Sequence, residues 1–514
     1  VVSPSNSAWC GKRPFWRAVS WQTARFDKLT TNGIHARSSA PSFVVDRKRR
    51  RPFPRRQAIA VSIAASRPES DTMRHARPLL VSLLAAALSA ALPAAAQDAA
   101  ASQRPEVAAA GKAVQQQVIE WRRYFHQYPE LSNREEQTAR RVAEELRKLG
   151  LQPRTGIAHH GVTAVIKGGR PGPRIALRAD MDALPVTERN DLPFASKATS
   201  TYRGETVGVM HACGHDAHTG ILLGVAKALV AMQDRLPGEV LLVFQPAEEG
   251  APAGEEGGAS LMLAEGVFKD FKPEAVFGLH VFSSIPVGQI GVRQGPLMAA
   301  SDSFTLKVVG RQTHGSRPWG GIDPIVAMAD VIGTTQTIVS RRTDISKLPA
   351  VVSFGAIKGG IRYNIIPDDV EVVGTIRTFD EGMRQKIFAD LKNVATHVSA
   401  AHGAKVEASV PDNDGNPVTV NNPELTARML PSLQAVVGAD NVITPPLQMG
   451  AEDFSFYARE VPSMFFFVGS TAKGVDPVTA PSNHSPEFML DEGSLDIGLR
   501  ALLQVTLDYL HTAR

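Results

Sequence analysis

Cysteine is nearly absent from this chain: its 514 residues hold two, Cys10 and Cys213. If the segment carrying Cys10 is not retained, one thiol remains and an internal disulfide is excluded. A lone thiol in an oxidising compartment is a liability unless something occupies it, which directs attention to Cys213. Long apolar runs are lacking too. The one candidate, Leu79 to Leu92, is shorter than the roughly 20 residues a membrane span needs, so no membrane partner is expected once that segment is removed. Acidic residues are scarce at the start. Residues 1–72 hold 14 Lys+Arg against 4 Asp+Glu, whereas residues 73–514 carry a net charge of −5. The basic balance belongs to the leading segment, and nucleic acid is excluded as a partner of the body.

That leading segment contains the run Arg47-Lys48-Arg49-Arg50-Arg51 and shows no lasting helical or strand period. It reads as a basic targeting arm or as a stretch that is never made, translation starting at Met73. The second reading is preferred because a signal-like segment begins at Met73. Arg74 and Arg77 form a positive region, Leu79 to Leu92 an apolar one, and Ala94-Ala95-Ala96 a small-residue cleavage site before Gln97. Residues 73–96 thus have the three parts of a secretory signal peptide. The expected mature chain starts near Gln97 and is exported, periplasmic or secreted, with a net charge of −7.

Beyond a polar, Ala-rich leader over 97–106, helices are expected at about 107–127 and 133–149. The second has a capping box of Ser132 and Glu135, an apolar face of Ala139, Val142, Ala143, Leu146 and Leu149, and a stop at Gly150. Short apolar runs occupy 163–166, 174–179, 239–245 and 275–279, with a helix at about 217–233 between them. Strands alternating with helices predict an α/β fold, a mixed sheet flanked by helices. Near Gly295 the texture changes to strands at 303–310, 351–357 and 370–378 and helices at 324–341 and 381–401. This predicts an inserted α+β domain over 297–408 between two parts of a catalytic domain, 97–296 and 409–514.

The chemistry concentrates in a few places. His211-Ala212-Cys213-Gly214-His215-Asp216-Ala217-His218 crowds metal-type donors into eight residues, and Gly214 lets the loop bend tightly between Cys213 and His215. Thiolate and imidazole both suit borderline divalent metals. Glu248-Glu249 comes after the strand 239–245, where loops of open α/β sheets gather ligands. Neighbouring residues point differently, so one carboxylate can bind metal while the other acts as general base. His280 ends the run 275–279; Asp180 and Asp182 close the run 174–179 and could orient ligating histidines. His484 lies in Asn483-His484-Ser485-Pro486-Glu487, a turn-rich loop before the last helix. Donors scattered over so much sequence fit a pair of ions better than one structural zinc, and two ions about 3.5–4 Å apart can clamp a carbonyl oxygen and a water.

The segments MHACGHDAHTGILLG, QPAEEG, GLHV, MGAEDFSFY and NHSPEF resemble those of bacterial and plant metal-dependent amidohydrolases. That group includes hippurate hydrolase, indole-acetyl-amino-acid hydrolases and N-acyl-amino-acid hydrolases, relatives of aminoacylases and metal carboxypeptidases. The resemblance spans about 107–510. It implies two divalent ions (manganese, zinc, cobalt or nickel) on Cys213, His215, Glu249, His280 and His484, with Glu248 as general base. It also implies that the inserted domain is a lid through which the chain forms a homodimer. There His314 looks like the histidine that polarises the scissile carbonyl, from its own or the partner subunit, and Asn364 and Arg377 match substrate-binding positions. The implied reaction is hydrolysis of N-acyl amino acids, hippurate-like in kind, to a carboxylic acid and an amino acid; a dipeptide substrate is the alternative.

Two departures stand out. Arg317-Pro318-Trp319 lacks the second histidine usual after that proline. Gly250 to Gly258 is longer and more acidic than the usual glycine loop, which predicts an altered rim of the substrate pocket. Asp180 stands where many aminoacylase relatives have histidine, consistent with Cys213 and His215 acting as ligands. Two rival readings are a thiol hydrolase using Cys213 and a non-catalytic exported metal- or ligand-binding protein. The first leaves the Glu-Glu pair idle; the second leaves Glu248 without a purpose.

Overall fold

The computed structural model describes residues 103–412 and 415–512. The basic extension, Cys10 and the segment Met73–Ala96 lie outside the described residues.

The main sheet has eight strands, in the order Arg154–Ile157, Gly161–Lys167, Pro237–Gln245, Arg170–Asp180, Ala275–Pro286, Ser463–Thr471, Ile290–Gly291 and Val442–Ile443. The third to sixth of these run parallel to one another, and antiparallel strands complete both edges. Parallel strands covered on both faces read as continuous apolar runs, which is why 174–179 and 239–245 could be recognised as strands. On one face pack the helices Pro105–Gln127, His215–Ala231 and Gly493–Thr512. The middle one is apolar nearly all round and buried from His215 through Val225. On the other face lie the short helices Gly258–Ala264 and Phe454–Glu460, over an aromatic core that includes Phe454, Tyr457, Phe465 and Phe467. The α/β architecture with a helix-flanked mixed sheet is the one the sequence predicts. Among the described residues no helix is long and apolar enough to cross a membrane.

Register places the chemistry. Asp180 pairs with Gln245, Arg178 with Gly278, and His280 with Phe467. Asp180, Gln245 and His280 therefore stand in one row near the carboxyl ends of adjacent parallel strands, the usual place for a site in such sheets. His280 does not end its strand as expected. The chain stays paired with Ser463–Thr471 and runs on to Pro286.

Residues from Ala300 to Ser409 build a second, antiparallel sheet of four strands, in the order Ala350–Gly359, Asp369–Thr378, Ala300–Val309 and Lys405–Ser409. Helices Pro324–Thr337 and Glu381–Ala401 cover one face, with a separate core around Phe304, Leu306, Val331, Ile376 and Leu391.

The second helix departs from its expected start. It spans Glu136–Lys148 without the Ser132–Glu135 capping box. The Ser132 hydroxyl donates to Asp182 at 2.7 Å, and the buried Glu135 carboxylate accepts the Ala247 N–H at 2.8 Å. Glu130 caps instead, accepting from the N–H groups of Gln137 (3.1 Å) and Thr138 (2.8 Å). Both supposed capping residues are committed to the site. The first helix begins at Pro105 rather than 107, and Arg104 pairs with Asp508 at 2.6 Å.

Candidate metal centre and active site

Gly214 adopts φ +99°, and a Cβ there would lie 2.3 Å from Val281 Cγ2. Only glycine allows this turn, which aims Cys213 and His215 at the same spot. The Cys213 sulfur lies 3.3 Å from His280 Nε2 and 3.2 Å from His484 Nε2. His484 Nε2 is also 3.2 Å from Glu249 Oε1, which stands 4.0 Å from His215 Nε2. The structure thus brings Cys213, His215, Glu249, His280 and His484 together, with Glu248 Oε2 3.8 Å from His215 Nε2.

The donors face inward because their other atoms are held. His215 Nδ1 is 3.2 Å from Asp182, and His280 Nδ1 donates to the Val281 carbonyl at 2.7 Å. Each ring is left with Nε2 turned to the centre, and that of His215 has no hydrogen-bond partner among the described residues. Asp182 also accepts the backbone N–H groups of Glu248 and Glu249, both at 3.0 Å, so one buried carboxylate places three side chains. Asn483 ties the remaining segment in. Its amide donates to the Cys213 and Val281 carbonyls at 2.9 and 3.1 Å and accepts from the Ser283 hydroxyl at 2.9 Å. His484 itself sits at φ +72°. His218 is spent differently. Its Nδ1 meets Asp180 at 2.5 Å and its Nε2 accepts the Val281 N–H at 2.9 Å, which leaves it no atom for a metal.

The donor set fits divalent ions. Ligands held at 2.0–2.3 Å from one ion lie about 3.3–3.8 Å from each other, close to the spacing found here. Cys213 belongs to two potential ligand groups, one with His215 and His280 and one with Glu249 and His484. The electrostatics also call for cations. Burial opposes protonation of His215, yet Asp180 and Asp182 outweigh it and raise its pKa to about 10. Burial, then Glu452 and Glu249, push Glu248 well above the usual carboxylate range. Burial, then Glu249 and Glu248, push the Cys213 thiol up, the opposite of what a free nucleophilic thiol needs.

Beside the centre lies a buried network that sequence reasoning missed. Arg178, 1% exposed, donates to Gln245 (2.9 Å), Asp180 (2.6 Å), Glu452 (2.8 Å) and Asp453 (2.8 Å). Glu452 and Asp453 also adjoin Glu248. A lone arginine inside an apolar strand was the available signal, since a buried guanidinium demands counter-charges.

The site opens into a cavity of about 1070 Å³ lined by Cys213, Glu248, Glu249, His280 and His484. The acidic segment after Glu249 lines it as well, through Gly250, Ala251, Glu255 and Gly257. From the second sheet come Ser301 and Arg377. The half-buried Arg377 guanidinium bonds to the Thr375 hydroxyl (2.5 Å) and the Ile376 carbonyl (3.1 Å), and no carboxylate pairs with it among the described residues. His314 and Asn364 do not line this cavity. They sit side by side, the Gly315 N–H donating to the Asn364 carbonyl at 2.8 Å, next to the Val309–Asp369 end of the sheet. Ser301 pairs with Arg377 at the other end, roughly 25 Å away along the strand. Trp319 is exposed near His314.

Comparison with known proteins agrees with this geometry. The profile of Peptidase family M20/M25/M40 matches residues 176–508. The chain is 40% identical over 391 residues to thermostable carboxypeptidase 2 of Saccharolobus solfataricus, covering 76% of this chain and 94% of that protein. It is 38% identical over 382 residues to the N-acetyl-L-cysteine deacetylase of Bacillus subtilis, covering 74% and 85%. The crystal structure of Bacillus subtilis YXEP protein, a dinuclear metal-binding peptidase from the M20 family, aligns with a TM-score of 0.64 at 33% identity, over 78% of this chain and 99% of that one.

Proposed function

The chain belongs to peptidase family M20/M25/M40 and is a metal-dependent hydrolase of amide bonds; from that premise we propose that it cleaves N-acyl amino acids, hippurate-like in kind, to a carboxylic acid and an amino acid. The observation that carries this reading is the Arg377 guanidinium, without a paired carboxylate among the described residues, facing the same cavity as Glu248 and four of the five donors, Cys213, Glu249, His280 and His484. An arginine without a carboxylate of its own offers a bidentate seat for the carboxylate of the substrate.

Cys213, His215, Glu249, His280 and His484 would hold two divalent ions. Ions held there would supply Lewis-acid polarisation of the scissile carbonyl and a lowered pKa for an attacking water. Glu248 takes the proton of that water and delivers it to the leaving amine. Its carboxylate reaches the cavity while its N–H is fixed to Asp182, so the base is aimed by the group that orients His215. Arg377 orients the substrate from the second sheet.

A substrate panel tests this. Chelated protein should be inactive, and manganese, zinc, cobalt or nickel should restore hydrolysis of benzoylglycine. Benzoylglycinamide, which lacks the carboxylate, should lose about 10–100-fold in kcat/KM, the worth of a charge-assisted hydrogen-bonded pair. Turnover of dipeptides alone would move the assignment to a peptidase.

We also propose a homodimer through the second sheet. Ala350–Gly359 is an edge strand, and Ile357, Ile361, Tyr363, Ile325 and Val326 are exposed nearby, an apolar surface beside an unpaired edge. His314 and Asn364 would then serve the partner's cavity. Mixing inactive E248Q with H314A should restore about a quarter of wild-type activity, because half the dimers regain one intact site. With both variants inactive alone, no recovery in a mixed dimer would place His314 in its own subunit's site.

A further inference from the structure

Resting on the amidohydrolase reading, we infer that Leu261, Ala264 and Phe456, with Phe282 beside the metal donors, form the seat for the acyl group. The seat takes an uncharged aryl or medium alkyl chain in preference to acetyl. The cavity has two unlike walls. Ser301 and Arg377 on the second sheet supply a polar wall, which suits the amino-acid half of the substrate. An apolar part of the lining comes from the helices Gly258–Ala264 and Phe454–Glu460 of the main sheet, through Leu261, Ala264 and Phe456. Phe282 lies two residues beyond His280 and stacks on Phe467 with ring centroids 4.5 Å apart, so the apolar wall starts at the metal donors. Leu261, Phe282 and Phe456 are partly buried against the aromatic core and present their remaining surface to the cavity.

The wall is built in place. Glu255 pairs with Arg134 at 2.6 Å, and the Asn133 amide donates to the Glu256 carbonyl at 3.0 Å. The buried Asp453 carboxylate accepts the Ala259 N–H at 2.8 Å. Gly258, at φ +66°, has Asp453 Oδ2 2.4 Å from where a Cβ would stand. The long acidic loop therefore fixes the start of helix Gly258–Ala264 against Asp453, and a preformed apolar surface binds without an ordering cost. Glu256 in the lining, which has no cationic partner among the described ion pairs, disfavours an anionic acyl group. A volume of about 1070 Å³ is at the large end for small-molecule sites, room that an acetyl group leaves mostly unfilled.

The test uses metal-loaded full-length protein and glycine carrying acetyl, butanoyl, hexanoyl or benzoyl groups. The expected result is a rise in kcat/KM of about fourfold per methylene up to hexanoyl, carried by KM, with benzoyl near the top. Ala264→Trp should lower the hexanoyl-to-acetyl ratio at least tenfold. Leu261→Ala, which removes wall surface instead of filling space, should lower the same ratio several-fold, so a folding failure of one variant does not spare the idea. A flat chain-length profile, or a ratio moved by neither variant, overturns the seat while leaving the amidohydrolase reading intact. Failure to hydrolyse any acylglycine overturns both.

Discussion

Glu248→Gln is expected to lower kcat by about 10²–10⁴, the usual worth of general acid–base catalysis, with metal content unchanged. Glutamine keeps the shape and volume and removes the ability to accept a proton from water. The substitution leaves the scaffold alone. The backbone N–H of residue 248 still donates to Asp182, and His215, Cys213, His280, Glu249 and His484 keep their positions. The side chain reaches the cavity and is 8% exposed, so it meets solvent and substrate through that opening. Glu248→Asp should fall in between, because the shorter chain withdraws the carboxylate from the cavity. The measurements are steady-state kinetics beside elemental analysis of bound metal. Full activity in Glu248→Gln would remove this residue from proton transfer, and a parallel loss of metal would make it a ligand. The thiol-hydrolase rival makes the contrary forecast, that Glu248→Gln is harmless and alkylation of Cys213 lethal. It has little physical support, since Cys213 is buried and its proton is held more tightly than that of an ordinary thiol.

Legibility tracks the range over which each interaction acts. Apolar runs at 174–179 and 239–245 reveal the parallel strands because both faces are covered, and the donors after them are visible as residue types at loop positions. The Cys213-Gly214-His215 turn is local, so its glycine can be explained from sequence. Arg178 could not be placed, because its partners Gln245, Glu452 and Asp453 lie 67, 274 and 275 residues away, and no spacing rule covers such gaps. Ser132 and Glu135 match the spacing of a capping box, yet the cap is outcompeted by Asp182 and Ala247, neither of which is local to the helix. His280 reads as a strand end because its polar ring interrupts the apolar run, which resumes at Val281 and Phe282; pairing with Ser463–Thr471 carries the strand onward. The motifs around His314 and Asn364 give no measure of distance, and it is the length of Ala300–Val309 that separates those residues from Arg377.

Arg178→Met should destabilise the fold by about 3–5 kcal/mol, the usual cost of breaking a buried ion pair from one side, a large part of the total stability of a typical protein. The guanidinium is the only cation in contact with Glu452 and Asp453 among the described ion pairs, and it shares Asp180 with His215 and His218. Methionine replaces its volume and none of its charge, so buried carboxylates are left facing one another. Even with Arg178 present, burial pushes Glu452 up to about 7 and Asp453 up to about 6; without it both should rise further. A carboxyl whose folded-state pKa exceeds its unfolded value costs nothing at low pH and destabilises as pH climbs through the folded value. The gap between wild type and variant should therefore be widest near pH ~8 and narrow towards pH ~5. Arg178→Lys should recover part of the gap, because one ammonium restores charge but cannot span the acceptors of a planar fork. Damage should also spread to the cavity wall, since Asp453 is the acceptor for the Ala259 N–H and anchors helix Gly258–Ala264. Denaturant unfolding of metal-loaded wild type and variant across that pH range is the measurement. A gap under ~1 kcal/mol, or one that does not change with pH, would mean that the carboxylates accommodate the loss by admitting water with no change in their protonation, and that Arg178 is not what keeps them ionised beside Glu248.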